Sequence, residues 1–456
     1  MRPFSALLLL LMIFGLSASA SGSTRVLLGL GGPSFSTMAE PEAGPPTPLA
    51  ELAALGGRIE YRYQFINVVL AELPKEAIQK LASNPYIRFI EPDGEVAAPE
   101  PLGVQELKLT WEWLPWGVDR IDAEVVHHPP KGLGLALIPF LLLPLLWFSS
   151  RSSRLRRAGL SLSLLALSLV LLLLLLLSGC EPPYIRIRPN TRGYMGEGVK
   201  VALLDSGLDP DHPDLRANYR GGYDFVNNDP EPWDDNGHGT EVAGVLAAVE
   251  DGSGLVGVAP KAWLYAVKVL GSNAHGAISD VVKGLEWAIQ QGMEIANMSL
   301  GTPEDSQALR EAVRAAWSAG LVLVAPAGNE SGAVLYPAAY PEVIAVSATT
   351  AADRLAPFSN SGPEVDLAAP GEAIPTTYPG GRYRLASGTS FAAPHVAGAA
   401  ALLISSGIRD NRLIRARLEQ AAEDLGLPKE EQGSGLVNAA RALFGEAIGQ
   451  GKLVTP

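Results

Sequence analysis

Between residues 190 and 445 short apolar runs alternate with helical stretches, and this alternation constrains the fold more than any other feature of the chain. Runs at 199–204, 263–269, 295–299, 321–325 and 343–348 read as strands, and 241–249, 279–291, 306–319 and 392–405 read as helices. Strands separated by helices are joined by crossovers and lie parallel, and a parallel sheet must be covered on both faces. The expected fold class is α/β, a parallel sheet with helices on both faces. Hydrophobic residues are 47% of the 456 and charged residues 18%, enough apolar material for such a core.

The net charge of −13 leaves no general basic face for phosphate, so no nucleic-acid partner is expected. Cys180 is the single cysteine, so no intramolecular disulfide can form. Stability must come from packing, with bound ions as a further source.

Three motifs lie at element edges. Asp205 ends the strand at 199–204. His238 stands in Asn-Gly-His-Gly-Thr (236–240), before a helix of small residues. Ser390 stands in Gly-Thr-Ser-Phe-Ala-Ala-Pro-His (388–395), where a helix begins. Carboxyl ends of parallel strands face ligands, and the free N–H groups of a helix start favour a developing anion. The residue types suit acyl transfer: a serine hydroxyl needs a neighbouring imidazole to take its proton, and an aspartate holds that imidazole in one tautomer. Asn329, in Ala-Gly-Asn-Glu after the strand at 321–325, supplies a donor for a tetrahedral oxyanion.

The order Asp205, His238, Ser390 with these local sequences, together with Asn329, resembles the subtilisin family (subtilases) over about 111–128 and 190–445. The resemblance implies an endopeptidase working through an acyl-enzyme with no cofactor for catalysis, and a monomer. It implies that Ser299, Leu300 and Gly301 bind the substrate backbone and wall the primary pocket, and that Ala274, His275 and Gly276 form the opposite edge. A protein or peptide substrate would then add as a strand between the two. Leu335 stands where the family's pocket floor often has glycine, which implies a shallower pocket. Glu112, Asp214 and Asp251 fall near positions that hold a structural calcium in relatives; solvated surface carboxylates are the alternative. Two departures stand out. Glu241 replaces the family's usual histidine three residues after the catalytic one, and Phe391 replaces a frequent methionine. Of the other histidines, His395 is expected in the core, His212 in a structural role, His127 and His128 in a loop or at a helix end, and His275 at the surface.

Residues 24–97 read as a small α+β unit with strands at 25–30, 59–65, 68–73 and 86–90, a helix at 75–82 opened by Pro74, and an Ala/Pro linker at 97–101. The unit resembles the family's inhibitor-like propeptide, which implies a chaperone and pseudo-substrate removed by cleavage between Asp93 and about Thr110. A generic α+β domain is the alternative.

Residues 1–20 carry Arg2, an apolar run and Ser-Ala-Ser-Ala, the pattern of a secretory signal, with an uncleaved anchor as the other possibility. Runs 132–150 and 159–179 contain no charge, the second includes seven consecutive leucines, and four arginines lie between them. They read as an inserted transmembrane hairpin (132–179) with its basic turn inside and the catalytic domain on the extracytoplasmic side. Two buried core helices would be the alternative, and Pro139 and Pro144 weaken the first run as a helix. Leu-Ser-Gly-Cys at 177–180 resembles a lipoprotein-processing box, which would make Cys180 a lipid anchor; an inert thiol is the alternative. The expected location is therefore exported and membrane-associated, or secreted after processing. A catalytically silent membrane-anchored binding protein is the rival function, supported only by Glu241 and the insert.

Overall fold

The computed structural model of the chain describes residues 23–31, 48–99, 101–109, 112–123 and 193–445. The signal at 1–20, the apolar insert at 132–179, Cys180, His127 and His128 lie outside them.

The amino-terminal unit runs β1 (Ser23–Leu30), α1 (Pro48–Ala54), β2 (Arg58–Arg62), β3 (Val68–Pro74), α2 (Lys75–Leu81) and β4 (Ile87–Pro92). Its antiparallel sheet has the order β2-β3-β1-β4. Side chains of β1 alternate between faces, as the two-residue repeat of a strand requires. Val26, Leu28 and Leu30 pack on Leu52 of α1 and Ile78 and Leu81 of α2. Leu27, with Val68 and Leu70 of β3, joins Val281 and Leu285 of the larger unit in another cluster. Both faces of this small sheet are therefore covered, one by its own helices and one by the rest of the chain. Pro74 caps α2 one position before the helix begins.

Two short strands follow, β5 (Glu95–Ala97) and β6 (Leu102–Leu107), then α3 (Trp116–Arg120). The expected linker at 97–101 is thus partly ordered in strands. Glu95–Ala97 has little local reason to be extended, and its partners lie in the larger unit.

That unit continues with β7 (Lys200–Asp205), β8 (Tyr219–Asp224), α4 (His238–Ala247), β9 (Trp263–Lys268), β10 (His275–Ala277), α5 (Ile278–Gln290) and β11 (Ile295–Asn297). It goes on through α6 (Gln307–Ser318), β12 (Val322–Pro326), β13 (Ile344–Thr349) and β14 (Leu367–Pro370) to the hairpin β15 (Ile374–Tyr378) and β16 (Arg382–Ser387). The chain closes with α7 (Thr389–Ser405), α8 (Asn411–Ala421), α9 (Lys429–Gln432) and α10 (Ala439–Phe444). Seven strands form one parallel sheet in the order β14-β13-β12-β11-β7-β9-β8. Val201 and Leu203 of β7 pack with Val242, Leu246, Val396 and Leu403 of α4 and α7 on one face. Ala202 and Leu204 pack with Val281, Leu285, Leu309 and Val313 of α5 and α6 on the other. The α/β expectation is met, with helices on both faces.

Helix α7 is buried from Thr389 to Ile404. A helix apolar all round belongs inside, and this one runs through the core beside β11 to β14. Strand β7 has β11 on one side and β9 on the other, so connections leave it in both directions and the strand order reverses there. Ligand crevices open at the carboxyl end of such a reversal, and the last residue of β7 is Asp205.

Candidate active site

Asp205 is 1% exposed, and its Oδ1 accepts the Ser206 N–H at 2.7 Å and lies 2.8 Å from His238 Nδ1. A carboxylate only accepts, so Nδ1 carries the imidazole proton and Nε2 keeps its lone pair. His238 is the first residue of α4, entered through Gly237 at φ 114°. A side chain there would be strained, and its Cβ would stand 2.4 Å from the Tyr378 ring. Gly239 permits the close approach of this turn to β7, since a Cβ would lie 2.0 Å from the Gly207 carbonyl oxygen.

The loop before His238 is tied to the end of β7 by groups that were not picked out in the sequence. Asp234 accepts the Ser206 hydroxyl, the N–H groups of Asn236, Gly237 and Thr240, and the Thr240 hydroxyl. Lys268, 1% exposed and paired in register with Asp205, donates to the carbonyls of Ser206 and Leu270 and to Asp235. A buried lysine with three acceptors is satisfied, and here it fixes the spacing of the acid-bearing and base-bearing segments.

Ser390 is the second residue of α7. Pro394, four residues on, has no N–H to give the Ser390 carbonyl. That carbonyl instead accepts the Ser299 hydroxyl at 3.0 Å, and Asn297 Nδ2 donates to the same hydroxyl at 2.9 Å. The helix interruption therefore anchors the nucleophile to β11. His238 Nε2 and Ser390 Oγ are both buried and without a hydrogen-bond partner among the described residues. Their helices pack together, and the Phe391 ring centroid lies 5.8 Å from that of His238.

Asn329 follows β12. Its Oδ1 accepts the Thr389 N–H at 2.9 Å and the Thr389 hydroxyl at 2.8 Å, which fixes the amide so that Nδ2, also buried and unpartnered, is the free donor. A Cβ on Gly388 would lie 3.0 Å from that Nδ2, so the donor stands over the turn that presents Ser390. The sequence candidates Asp205, His238, Ser390 and Asn329 thus converge.

Burial by itself would lower the His238 pKa. The charge of Asp205 and its hydrogen bond, followed by the charges of Glu241 and Asp234, outweigh burial and raise it above the ordinary imidazole value near 6.5. The sign follows. His238 contributes stability that is full below that ordinary value and lost as pH rises through the raised one, while its action as a base switches on over the same rise. His395 goes the other way: burial pushes it down to about 4, against a bond from Nδ1 to the Phe391 carbonyl, so it stays neutral in the core.

The two candidate substrate edges hold a segment of the chain itself. Ala97 exchanges both backbone hydrogen bonds with Gly301, Ala98 N–H donates to the Ala274 carbonyl, and β5 pairs antiparallel with His275–Ala277. Ser299 and Leu300 are buried behind this edge. Beside it a cleft of about 480 Å³ is lined by Pro99, Gly301, Glu330, Ala333 and Leu335. Leu335 fills space across from Gly301, where an added Cβ would meet its side chain at 3.0 Å. Gly276 is required by close approach, since a Cβ would lie 2.0 Å from the Val269 carbonyl.

The three carboxylates expected at a structural calcium each accept hydrogen bonds from the chain. Glu112 Oε1 accepts the N–H groups of Asp251 and Gly252. Asp214 accepts the Leu255 N–H and the Tyr383 hydroxyl, and Asp251 accepts from Ser253. Each carboxylate is used by its own surroundings, and among the described residues no three His, Cys, Asp or Glu side chains are grouped to hold a metal ion. His212 bridges the Asp214 N–H and the Arg382 carbonyl, a structural role, and His275 is exposed beside Glu95.

An imidazole oriented by a carboxylate, a serine at the start of the helix packed against it, a fixed amide donor over that helix start and two backbone edges that hold an extended segment have the make-up of a serine endopeptidase site. Residues 196–436 match the family model described as the Subtilase family. The chain is 36% identical over 394 residues to Subtilisin E of Bacillus subtilis (strain 168), covering 85% of this chain and 83% of that one. It is 37% identical over 384 residues to an Alkaline protease of Shouchella clausii (84% and 80%), and 48% identical over 260 residues to a Subtilisin of Bacillus pumilus (56% and 94%). The chain belongs to the subtilase family, and it is a subtilisin-like serine endopeptidase acting on protein or peptide substrates.

Proposed function

We propose that this endopeptidase is made as a zymogen whose amino-terminal α+β unit occupies the substrate cleft until the enzyme cuts the connection, and that it acts outside the cytoplasm, held at a membrane. The observation that carries the zymogen reading is the path of residues 95–107. Strand β5 lies between the two substrate edges, and β6 pairs with β16, with Leu102 opposite Ser387, three residues before Ser390. The described residues therefore lead from the substrate edges at Ala98 to the strand before Ser390 at Leu102. Two carboxylates add to the grip: Asp93 accepts the N–H and hydroxyl of Ser279 at the start of α5, and Glu91 accepts from Ser306, Gln307 and Ala308 at the start of α6. Release would expose Leu27, Val68 and Leu70, at roughly 1.5–3 kcal/mol each.

Export and tethering rest on residues 1–20 and on the apolar runs at 132–150 and 159–179; among the described residues no helix is long and apolar enough to cross a membrane. On the carboxyl side of the insert, among the described residues, Gly196 N–H donates to Ser405 Oγ. Ser405 is the last residue of α7, about 23 Å along the helix from Ser390 at ~1.5 Å per residue. Expression of the full chain, followed by fractionation and amino-terminal sequencing, tests both parts. The expected result is a new amino terminus between Pro99 and Gly103 and activity that leaves the membrane pellet only with detergent. A terminus at Cys180 with an acyl mass would favour the lipid anchor. Activity wholly in the soluble fraction, with residues 131–180 intact, would defeat tethering.

Leu335 in the cleft implies a preference for small side chains before the scissile bond. In Leu335→Gly, kcat/KM for peptides with phenylalanine there should rise relative to alanine by about 10-fold or more, the scale of a few methylenes in a pocket. An unchanged ratio places the primary pocket elsewhere.

A further inference from the structure

Glu241 lies one turn after His238 on the same face of α4, fully buried. One carboxylate oxygen pairs with Arg384 Nε, while Oε2 is buried with no partner among the described residues. Arg384 belongs to β16, the strand that leads directly into Gly388-Thr-Ser390. Its guanidinium lies 3.9 Å from the centroid of the Tyr378 ring. The Thr376 and Thr377 hydroxyls of β15 donate to the carbonyls of Glu241 and Thr240, so the same hairpin grips the backbone of the helix turn that holds the base. A buried ion pair is a costly way to fill space, because well-packed apolar residues of similar volume are usually neutral or better. Its retention beside a reacting histidine calls for another role.

We propose that the Glu241–Arg384 pair is a positioning device for the general base: it pins the His238 helix to the Ser390 strand and keeps a second negative charge beside the imidazole. When Ser390 attacks, His238 becomes an imidazolium with Asp205 on one side, and Glu241 stabilises that cation from the next turn. The charged groups around His238 are Asp205 from β7, Asp234 and Asp235 from the preceding loop, Glu241 from its own helix, Lys268 from β9 and Arg384 from β16; α7 contributes the neutral Phe391 ring. Asp235 and Lys268 are paired with each other, and Arg384 is joined to Glu241. Glu241 thus adds to the Asp205 field, in line with the raised His238 pKa; burial pushes the Glu241 carboxyl up as well, and the Arg384 hydrogen bond and charge act against that to keep it ionised.

The test is the pH dependence of kcat/KM, whose acid limb reports the base in the free enzyme. In Glu241→Gln the limb should move down by about half to one pH unit, with kcat on the plateau falling roughly 3- to 10-fold and KM little changed. Because that variant leaves Arg384 unpaired and could misfold, Glu241→Leu/Arg384→Met is made alongside it, removing both charges and keeping volume. NMR titration of the His238 imidazole in the full chain, in a Ser390→Ala background, reads the same shift without relying on turnover. A downward shift in the double variant supports the proposal. An acid limb and imidazole titration unmoved within 0.2 units (about the error of such fits), with only thermal stability altered, overturns it and leaves the pair a packing element.

Discussion

A Ser390→Ala chain should remain at full length, with residues 95–98 still in the cleft, and its kcat on a denatured protein should fall by about 10⁶-fold, the scale established on subtilisin itself. The reasoning is geometric. Asp205 Oδ1 holds His238 Nδ1, and in the proposed site the buried and unpartnered His238 Nε2 and Ser390 Oγ act together. Without the hydroxyl, the remaining rate comes from substrate binding and the Asn329 donor. Gel electrophoresis of the expressed chain reads processing, and release of labelled peptides reads turnover. A variant that still cleaves its own 98–102 region shows that another nucleophile does the work.

Asn329→Ala should lower kcat by about 10²–10³-fold with KM nearly unchanged, again the size known from subtilisin. Nδ2 has no ground-state partner among the described residues, so its bond forms only when the oxyanion does. Alanine also deletes the acceptor for Thr389 and could loosen the start of α7. Asn329→Asp separates the two effects: it keeps the acceptor and removes the donor. Its kcat should fall at least as far while the thermal midpoint stays near that of the parent. A drop in kcat that follows stability, or a rise in KM that accounts for the loss, contradicts the assignment.

The parallel sheet was readable from apolar runs of five to seven residues, Asp205 and Asn329 from motifs that follow two of those runs, and His238 and Ser390 from motifs at helix starts. Strand β8 was not readable, since Tyr-Arg-Gly-Gly-Tyr-Asp is half exposed, holds two glycines and sits at the sheet edge. The β15–β16 hairpin did carry a signal, Pro-Gly-Gly between two alternating runs, as did α8, where Asp410 caps Leu413 N–H ahead of Ile414 and Leu418. Strand β5 could not be found locally, because Glu-Val-Ala is a strand only between edges nearly 180 residues or more away. The ties from Asp234 and Lys268 to Ser206, and from Lys268 to Asp235, were hidden for the same reason, since those partners lie 28 to 62 residues away.

Active-site labelling tests the central claim most directly. The processed enzyme is treated with a fluorophosphonate at several pH values, digested with another protease and mapped by mass. One label per chain should appear on Ser390, rising with pH along the same limb as proteolysis, and it should vanish in His238→Ala. Peptide hydrolysis that continues while Ser390 stays unlabelled would contradict the account.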